Sequence, residues 1–194
     1  MSQARHRHAL PRGQDGVAAI EFTCVALIFF MLFFGIVELA RAMYICNTLQ
    51  EVTRRAAALA VNADFSDAAA MDQVRQRAVF RSASGPLLFA DPITDQNVKI
   101  DYLQIPAGTA NPGPIGAALP ANPTRNRTVC TNNPNAANCI ALVRVRICTA
   151  GGDASACTPV PYRTLVSLIP LAFSLPMATT IARVETLGMV PGAP

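Results

Sequence analysis

An uninterrupted apolar block near the N-terminus constrains this chain more than any other feature. The charge-free run Phe22–Val37 is preceded by Glu21 and by the apolar residues Val17–Ile20. In an α-helix this run spans about 24 Å, and residues 17–21 extend it to about 32 Å. Because the hydrocarbon core of a bilayer is about 30 Å thick, the block predicts one membrane-crossing helix with Glu21 at or inside its inner edge.

Residues 1–16 form a polar, basic leader upstream of this block. The leader contains Arg5, Arg7 and Arg12, and positive residues beside a span favour the cytoplasmic side. We therefore expect the leader to lie in the cytoplasm and the bulk of the chain to lie across the membrane. The expected division is a cytoplasmic leader over 1–16, a transmembrane and extended helix over 17–62, and an extracytoplasmic domain over 63–194.

Three interpretations of the apolar block compete. A cleaved secretory signal has an apolar core of about 7–15 residues that ends at small residues, whereas this block continues as a helix pattern into Gly35–Arg41. An ordinary transmembrane anchor is the second interpretation. The third gives Glu21 a function, because an ionisable group inside a membrane span is costly and is kept for a purpose. The simpler alternative to a functional Glu21 is that this residue merely lies in the lipid headgroup region.

The helix pattern extends well beyond the block. Residues 17–61 contain no proline and a single glycine, Gly35, so we expect one helix over about 16–61 whose last turns leave the bilayer. Gly35 is either a tolerated glycine or a point where another helix approaches closely. Glu38 and Arg41 stand three residues apart, a spacing that supports a helix. With Gly35, they are our candidates for a helix interface.

The remaining sequence predicts an α+β fold, with a short second helix and an antiparallel sheet of about four strands packed on the helices. Asp64 or Ser66 is the expected cap of the second helix, and Ser84–Pro86 its expected end. Residues 105–138, rich in Pro, Gly, Asn and Ala, are expected to form a long loop. The expected elements are the helix 67–83 and strands at 98–103, 140–147, 162–169 and 179–187.

Four cysteines follow one another at nine-residue intervals in the second half: Cys130, Cys139, Cys148 and Cys157. An even set in an exported domain indicates two disulfides. A Cys139–Cys148 bond is excluded, because a nine-residue strand spans about 30 Å and bonded Cα atoms lie about 5.5–6 Å apart. Two disulfide connectivities remain: the local pairs 130–139 and 148–157, which we favour, or 130–148 with 139–157. Cys24 is expected to be a buried apolar thiol, and Cys46 to be free or to link subunits.

The sequence offers no positive sign of catalysis. Both histidines, His6 and His8, lie in the leader, and no nucleophile–base pair or phosphate loop is visible. Cysteines at nine-residue intervals with no histidine nearby disfavour a metal site. The net charge of +4 comes from scattered arginines and tryptophan is lacking, so nucleic acid is not an expected partner. We expect no catalytic residue, no metal and no cofactor, with membrane lipid and other proteins as partners.

The residues around Glu21 resemble a known processing motif. Residues 16–22 read GVAAIEF, which resembles the prepilin motif that a membrane peptidase cuts after the glycine. The resemblance implies a cut after Gly16, with Val17 as the new N-terminus, Glu21 as the fifth residue and Phe22 behind it. With FFGIVELARAMY and NTLQEVTRRAAALA following, residues 12–57 are similar to the TadE-like family of the tight-adherence (Tad or Flp) pilus system.

This resemblance implies a pilin-like fold and a minor pilin or pseudopilin that supports adhesion and biofilm formation. It implies other pilus subunits, a prepilin peptidase, an inner-membrane platform and a secretion ATPase as partners. The implied location is the bacterial inner membrane, with the C-terminal domain in the periplasm, and then the surface pilus after assembly. The alternative is a periplasmic scaffold or binding protein that stays anchored to the membrane.

Overall fold

The computed structural model describes residues 15–109, 111–115, 118–151, 156–166, 172–184 and 187–188. One 46-residue helix, α1 (Asp15–Ala60), runs through most of the first third of the chain. Its bounds agree with the expected helix over 16–61. Helix-favouring Ala, Leu and Glu and the lack of proline explain its continuity.

The second half of α1 supplies the spine of the core. Its buried residues recur every three or four positions, which places them on one stripe of the helix. The fully buried members Ile45, Leu49 and Val52 belong to the main apolar cluster with side chains of the sheet and of α2. The globular domain is therefore built against this half of α1.

The second helix, α2 (Ala68–Ala78), is shorter than the expected 67–83. Asp67 caps it by accepting from the Ala69 N–H at 2.9 Å, whereas Asp64 accepts from Ser66 in the turn before it. The expected caps were therefore wrong by one to three residues. The helix ends early because Phe80 has φ of 60°, a left-handed backbone that an α-helix cannot continue through.

The sheet has four antiparallel strands in the order β2-β1-β3-β4. These are β1 (Val98–Gln104), β2 (Gly113–Pro114), β3 (Leu142–Ile147) and β4 (Thr179–Arg183). The central pair is in register from Val98↔Ile147 to Leu103↔Leu142. Alternate residues of β3 are buried, as its sequence pattern predicts. The expected α+β class and four-strand antiparallel sheet are confirmed.

Two elements differ from expectation. Residues 105–138 contain β2 and a third helix, α3 (Pro123–Asn132), so the single long loop was wrong. Asn122 caps α3 by accepting from the Arg125 N–H at 2.8 Å, and Pro123 opens the first turn, where its missing N–H costs nothing. This local chemistry builds a helix without apolar periodicity.

The strand expected over 162–169 was also wrong in its described part. Residues 162–166 form no strand, and residues 167–169 lie outside the part of the chain that the structure describes. Pro161 forms an isolated antiparallel β-bridge with Ser174. β4 ends at Arg183, before the expected 187. The sheet still has four strands because β2, which was not expected, is one of them.

The four second-half cysteines form the two local pairs, Cys130–Cys139 and Cys148–Cys157, with Cα separations of 5.1 and 5.0 Å. The first ties α3 to the residues before β3, and the second ties the end of β3 to the segment that follows. Cys24 is exposed on the apolar half of α1, not buried inside the protein as expected, and Cys46 is half-buried.

Candidate functional site

The first half of α1 presents an apolar surface on all sides. We call Val17–Val37 the apolar segment; its most apolar stretch has a mean hydropathy of 2.5, and none of it is buried against the rest of the protein. Phe22 is 75% exposed and Ile20 68%. A helix that is apolar all round, outside any protein core, is typical of a membrane span, and this one is long and apolar enough to cross.

The four residues of the expected processing site lie at or just before the start of this segment. Gly16, Val17, Glu21 and Phe22 occupy the first turns of α1, and all are exposed. The Gly16–Val17 peptide bond therefore lies in the first helical turn, and nothing lies within 4 Å of where a Cβ of Gly16 would be. Within the described residues, Glu21 has no ion-pair partner. It is a carboxylate on an otherwise apolar surface.

A buried polar cluster begins at the end of the apolar segment. Glu38 is only 1% exposed. Its Oε1 accepts from the Tyr162 hydroxyl at 2.6 Å, and its two carboxylate oxygens accept from the Leu165 N–H at 3.2 and 3.3 Å. Arg41 lies 3.4 Å away through Nη1. The carboxylate is thus fully engaged by groups of its own chain.

Arg41 ties two loops to the helix. Its guanidinium donates to the Phe89 carbonyl at 3.0 Å, the Asp91 carbonyl at 3.1 Å and the Arg163 carbonyl at 2.6 Å. It also donates to the Tyr162 hydroxyl at 3.2 Å and lies 5.2 Å from that ring's centroid. A rigid fork of five N–H donors suits this task, which a lysine could not perform.

We call Glu38, Arg41, Tyr162 and the loops 86–91 and 161–165 the collar. Burial, and then the hydrogen bond to Glu38, raise the pKa of Tyr162, while Arg41 opposes the rise. The phenol therefore stays neutral and keeps its proton for Glu38. Each buried charge here is paired and hydrogen-bonded, and these bonds join the two loops to the helix.

The three residues expected at a helix interface separate into two environments. Glu38 and Arg41 face loops of their own chain, so the contact they make is intramolecular. Gly35 is half-buried one turn earlier, within the apolar segment. Tyr162 was missed as a site residue because its partner lies 124 positions away in sequence. The only available signal was an acid and an arginine at helical spacing just past an apolar block.

An open cleft of about 680 Å³ lies between α1 and α2. Its lining carries guanidinium, amide and hydroxyl groups and one exposed phenyl ring, but no carboxylate, thiol or imidazole. The lining residues are Arg55, Gln73, Gln76, Arg77, Phe80, Arg81 and Ser82. Such groups attract anions without exchanging protons at neutral pH. Elsewhere in the described ranges, no group of three His, Cys, Asp or Glu residues is placed to hold a metal ion.

These features define a class: a protein in which a membrane-suited helix is followed by an α+β domain with two disulfides. Residues 16–58 match the family model described as TadE-like protein, which confirms the resemblance seen in the sequence over that segment. No curated protein matches the chain, and no solved structure does. The family match supports a protein associated with the Tad pilus.

Proposed function

We propose that this protein is a minor pilin or pseudopilin that joins or primes the assembly of a Tad pilus. One observation carries the proposal. An exposed apolar helix has an acid, Glu21, five residues after Gly16 and without an ion-pair partner among the described residues, and the same helix continues into the core of the globular domain. This arrangement holds a subunit in the inner membrane, with its domain outside the cytoplasm, until the subunit leaves the membrane and joins a filament.

Glu21 is the residue expected to direct assembly. A carboxylate in a low-dielectric membrane needs a partner or a proton. Cleavage after Gly16 would create a free amine at Val17, and the amine of one subunit can pair with Glu21 of the next. The partners in this scheme are a prepilin peptidase, other pilus subunits, the inner-membrane platform and a secretion ATPase.

The charges and the cysteines support the proposed orientation, with the N-terminus in the cytoplasm and the domain in the periplasm. The basic leader favours a cytoplasmic N-terminus, and the domain carries two disulfides, which persist in oxidising compartments such as the periplasm. Domain boundaries at 1–16, 17–62 and 63–194 remain part of this proposal.

Processing is tested by N-terminal sequencing of membrane-extracted protein. We expect the mature chain to begin at Val17. Gly16→Leu should retain the leader and be missing from sheared surface fibres. Gly13→Leu changes a neighbouring glycine of the leader and should be processed normally. A wild-type chain that begins at Met1 or Ser2 would contradict the proposal.

The role of Glu21 is tested separately from processing. Glu21→Gln should be processed but should enter surface fibres poorly. Glu51→Gln, an equal change at an exposed α1 position beyond the apolar segment, should assemble like wild type. If the leader is retained and the protein stays strictly in the inner membrane, the anchored periplasmic scaffold is the better description.

A further inference from the structure

The apolar segment is only just long enough to cross a bilayer: residues 17–21, with the single charge of Glu21, extend its charge-free run to about 32 Å. Phe22–Val37 spans about 24 Å as a helix, against about 30 Å of hydrocarbon. The next turn of α1 contains Glu38 and Arg41, and charged residues usually end a membrane-embedded surface. The edge of the hydrocarbon that is farther from Gly16 therefore falls close to this charged turn.

The collar extends that surface because it hides both charges. Glu38 is 1% exposed and Arg41 9%, and their charged groups bind each other and the loop backbones. Around them, five large apolar side chains remain exposed. They are Leu39, Met43, Leu88, Phe89 and Leu165, between 61% and 74% exposed. We call these five residues the collar face.

Hydrogen bonds fix the two loops at the level of this turn of α1. Arg41 donates to the Phe89 carbonyl, and the Glu38 carboxylate accepts from the Leu165 N–H. The Tyr44 hydroxyl donates to the Leu88 carbonyl at 3.5 Å. The loop residues of the collar face therefore lie beside helix residues 38–44, directly above the apolar segment.

Phe89 shows that this exposure is built into the fold. Its φ is 57°, a left-handed backbone that is costly for a bulky residue and persists only when surrounding contacts impose it. Arg41 imposes it by binding the carbonyls of Phe89 and Asp91. The result is a phenyl ring 74% exposed to the surroundings.

We propose that the collar face lies in the lipid interface and seats the globular domain on the bilayer. With it, the exposed apolar surface continues from Val37 to Met43, about 9 Å beyond the apolar segment, which is enough to enter the interfacial layer outside the hydrocarbon. Lipid is the occupant because the face continues the apolar segment without a break. Exposed Arg81 and Arg163 beside it suit lipid phosphates. This inference rests on the membrane anchoring in the proposed function.

The protein has no tryptophan, so one substitution gives a single fluorescent reporter without background. The test places full-length Phe89→Trp in phosphatidylcholine vesicles with and without brominated lipid, which quenches tryptophan on contact. Leu165→Trp repeats the measurement from the other loop. Phe29→Trp, in the middle of the apolar segment, is the positive control.

Leu119→Trp is the matched negative control. Leu119 is 47% exposed and precedes Pro123, whose ring lies against Gly188. Gly188 in turn bonds to Ala63, just past the far end of α1. A helix from Glu38 to Ala60 rises about 33 Å, so this position is remote from the bilayer.

We expect the tryptophans at positions 89 and 165 to be blue-shifted and quenched severalfold more strongly by brominated lipid than the one at position 119. If both match Leu119→Trp while Phe29→Trp is quenched, the collar face is not in lipid and this inference fails alone. A blue shift without quenching would mean that protein, such as a second copy, covers the face, and it also overturns the inference. If Phe29→Trp is itself unquenched, the membrane anchoring fails.

Discussion

The two halves of α1 share one continuous backbone but meet different surroundings. From Val17 to Val37 large side chains are exposed on every side of the helix, whereas from Glu38 to Ala60 buried residues follow a single stripe. A uniform apolar surface suits a solvent that is itself apolar, and a stripe suits a protein core on one side with water on the other. The collar marks the change between them. The comparison shows that one helix can suit an apolar environment in its first half and a water-exposed protein in its second half, provided that loops bury the charged turn between them.

Breaking the collar should have the largest effect on this arrangement. Arg41→Ala leaves Glu38 buried without its charged partner, and we expect a loss of about 3–5 kcal/mol in the unfolding free energy of the domain. Thermal unfolding of the full chain in detergent, followed by circular dichroism, measures it. Arg54→Ala is the control, because Arg54 is exposed on the same helix. Equal melting temperatures for the two variants would mean that the collar contributes little.

The same residue type on the two halves should respond differently. Leu49 is fully buried, so Leu49→Ala should destabilise the domain by about 2–4 kcal/mol in detergent. Leu32, in the apolar segment, is 65% exposed, and Leu32→Ala should change the melting temperature little. Denaturation curves of the two variants make the comparison. Similar destabilisation at both positions would erase the distinction between the halves.

Cysteines sharpen the comparison in another way. Loss of the Cys148–Cys157 bond frees a loop with a sequence separation of nine residues. In the double variant Cys148→Ser/Cys157→Ser this should cost about 2–3 kcal/mol. Cys24→Ser, on the apolar segment, should leave domain stability unchanged. Urea unfolding in detergent compares the two. A domain insensitive to the double variant would show that the staple is dispensable.

The smallest expected effect is at Tyr162. Its folded pKa lies above the ordinary value of 10.0, chiefly because of burial, so neutral Tyr162 stabilises the fold below pH 10.0. That contribution is lost as the pH rises from 10.0 through the raised folded pKa. Tyr162→Phe removes the hydrogen bond to Glu38 and should cost about 1.5 kcal/mol at neutral pH. It should also flatten the alkaline decline of the melting temperature. If the melting temperature of Tyr162→Phe falls at alkaline pH as steeply as that of wild type, ionisation of Tyr162 is not the cause of the fall.

Much of the helix was predictable from sequence because its signals are local. A proline-free run and the change from uniform apolarity to periodic spacing gave α1 its bounds. The strands β1 and β3 followed from alternation. For the cysteines, strand length ruled out one bond and left two connectivities.

The collar was not predictable in the same way. The Glu38–Tyr162 contact joins positions 124 residues apart, and no local pattern announces it. The helix α3 was missed because it relies on the cap at Asn122 and not on apolar periodicity. The helix α2 ends near Phe80, whose left-handed backbone is one that phenylalanine rarely adopts. No sequence signal indicates this conformation, and the predicted helix was therefore too long.

A nitroxide scan of α1 tests the central claim most directly. Spin labels are placed one at a time from position 17 to position 60 of the full chain in vesicles, with Cys24 and Cys46 replaced by serine. Their collision rates with oxygen and with a water-soluble nickel complex are then measured. We predict uniformly high oxygen access over 17–37, followed by a 3.6-residue periodicity over 38–60. A 3.6-residue periodicity that already runs through 17–37, with water-soluble reagent reaching one side, would contradict the claim.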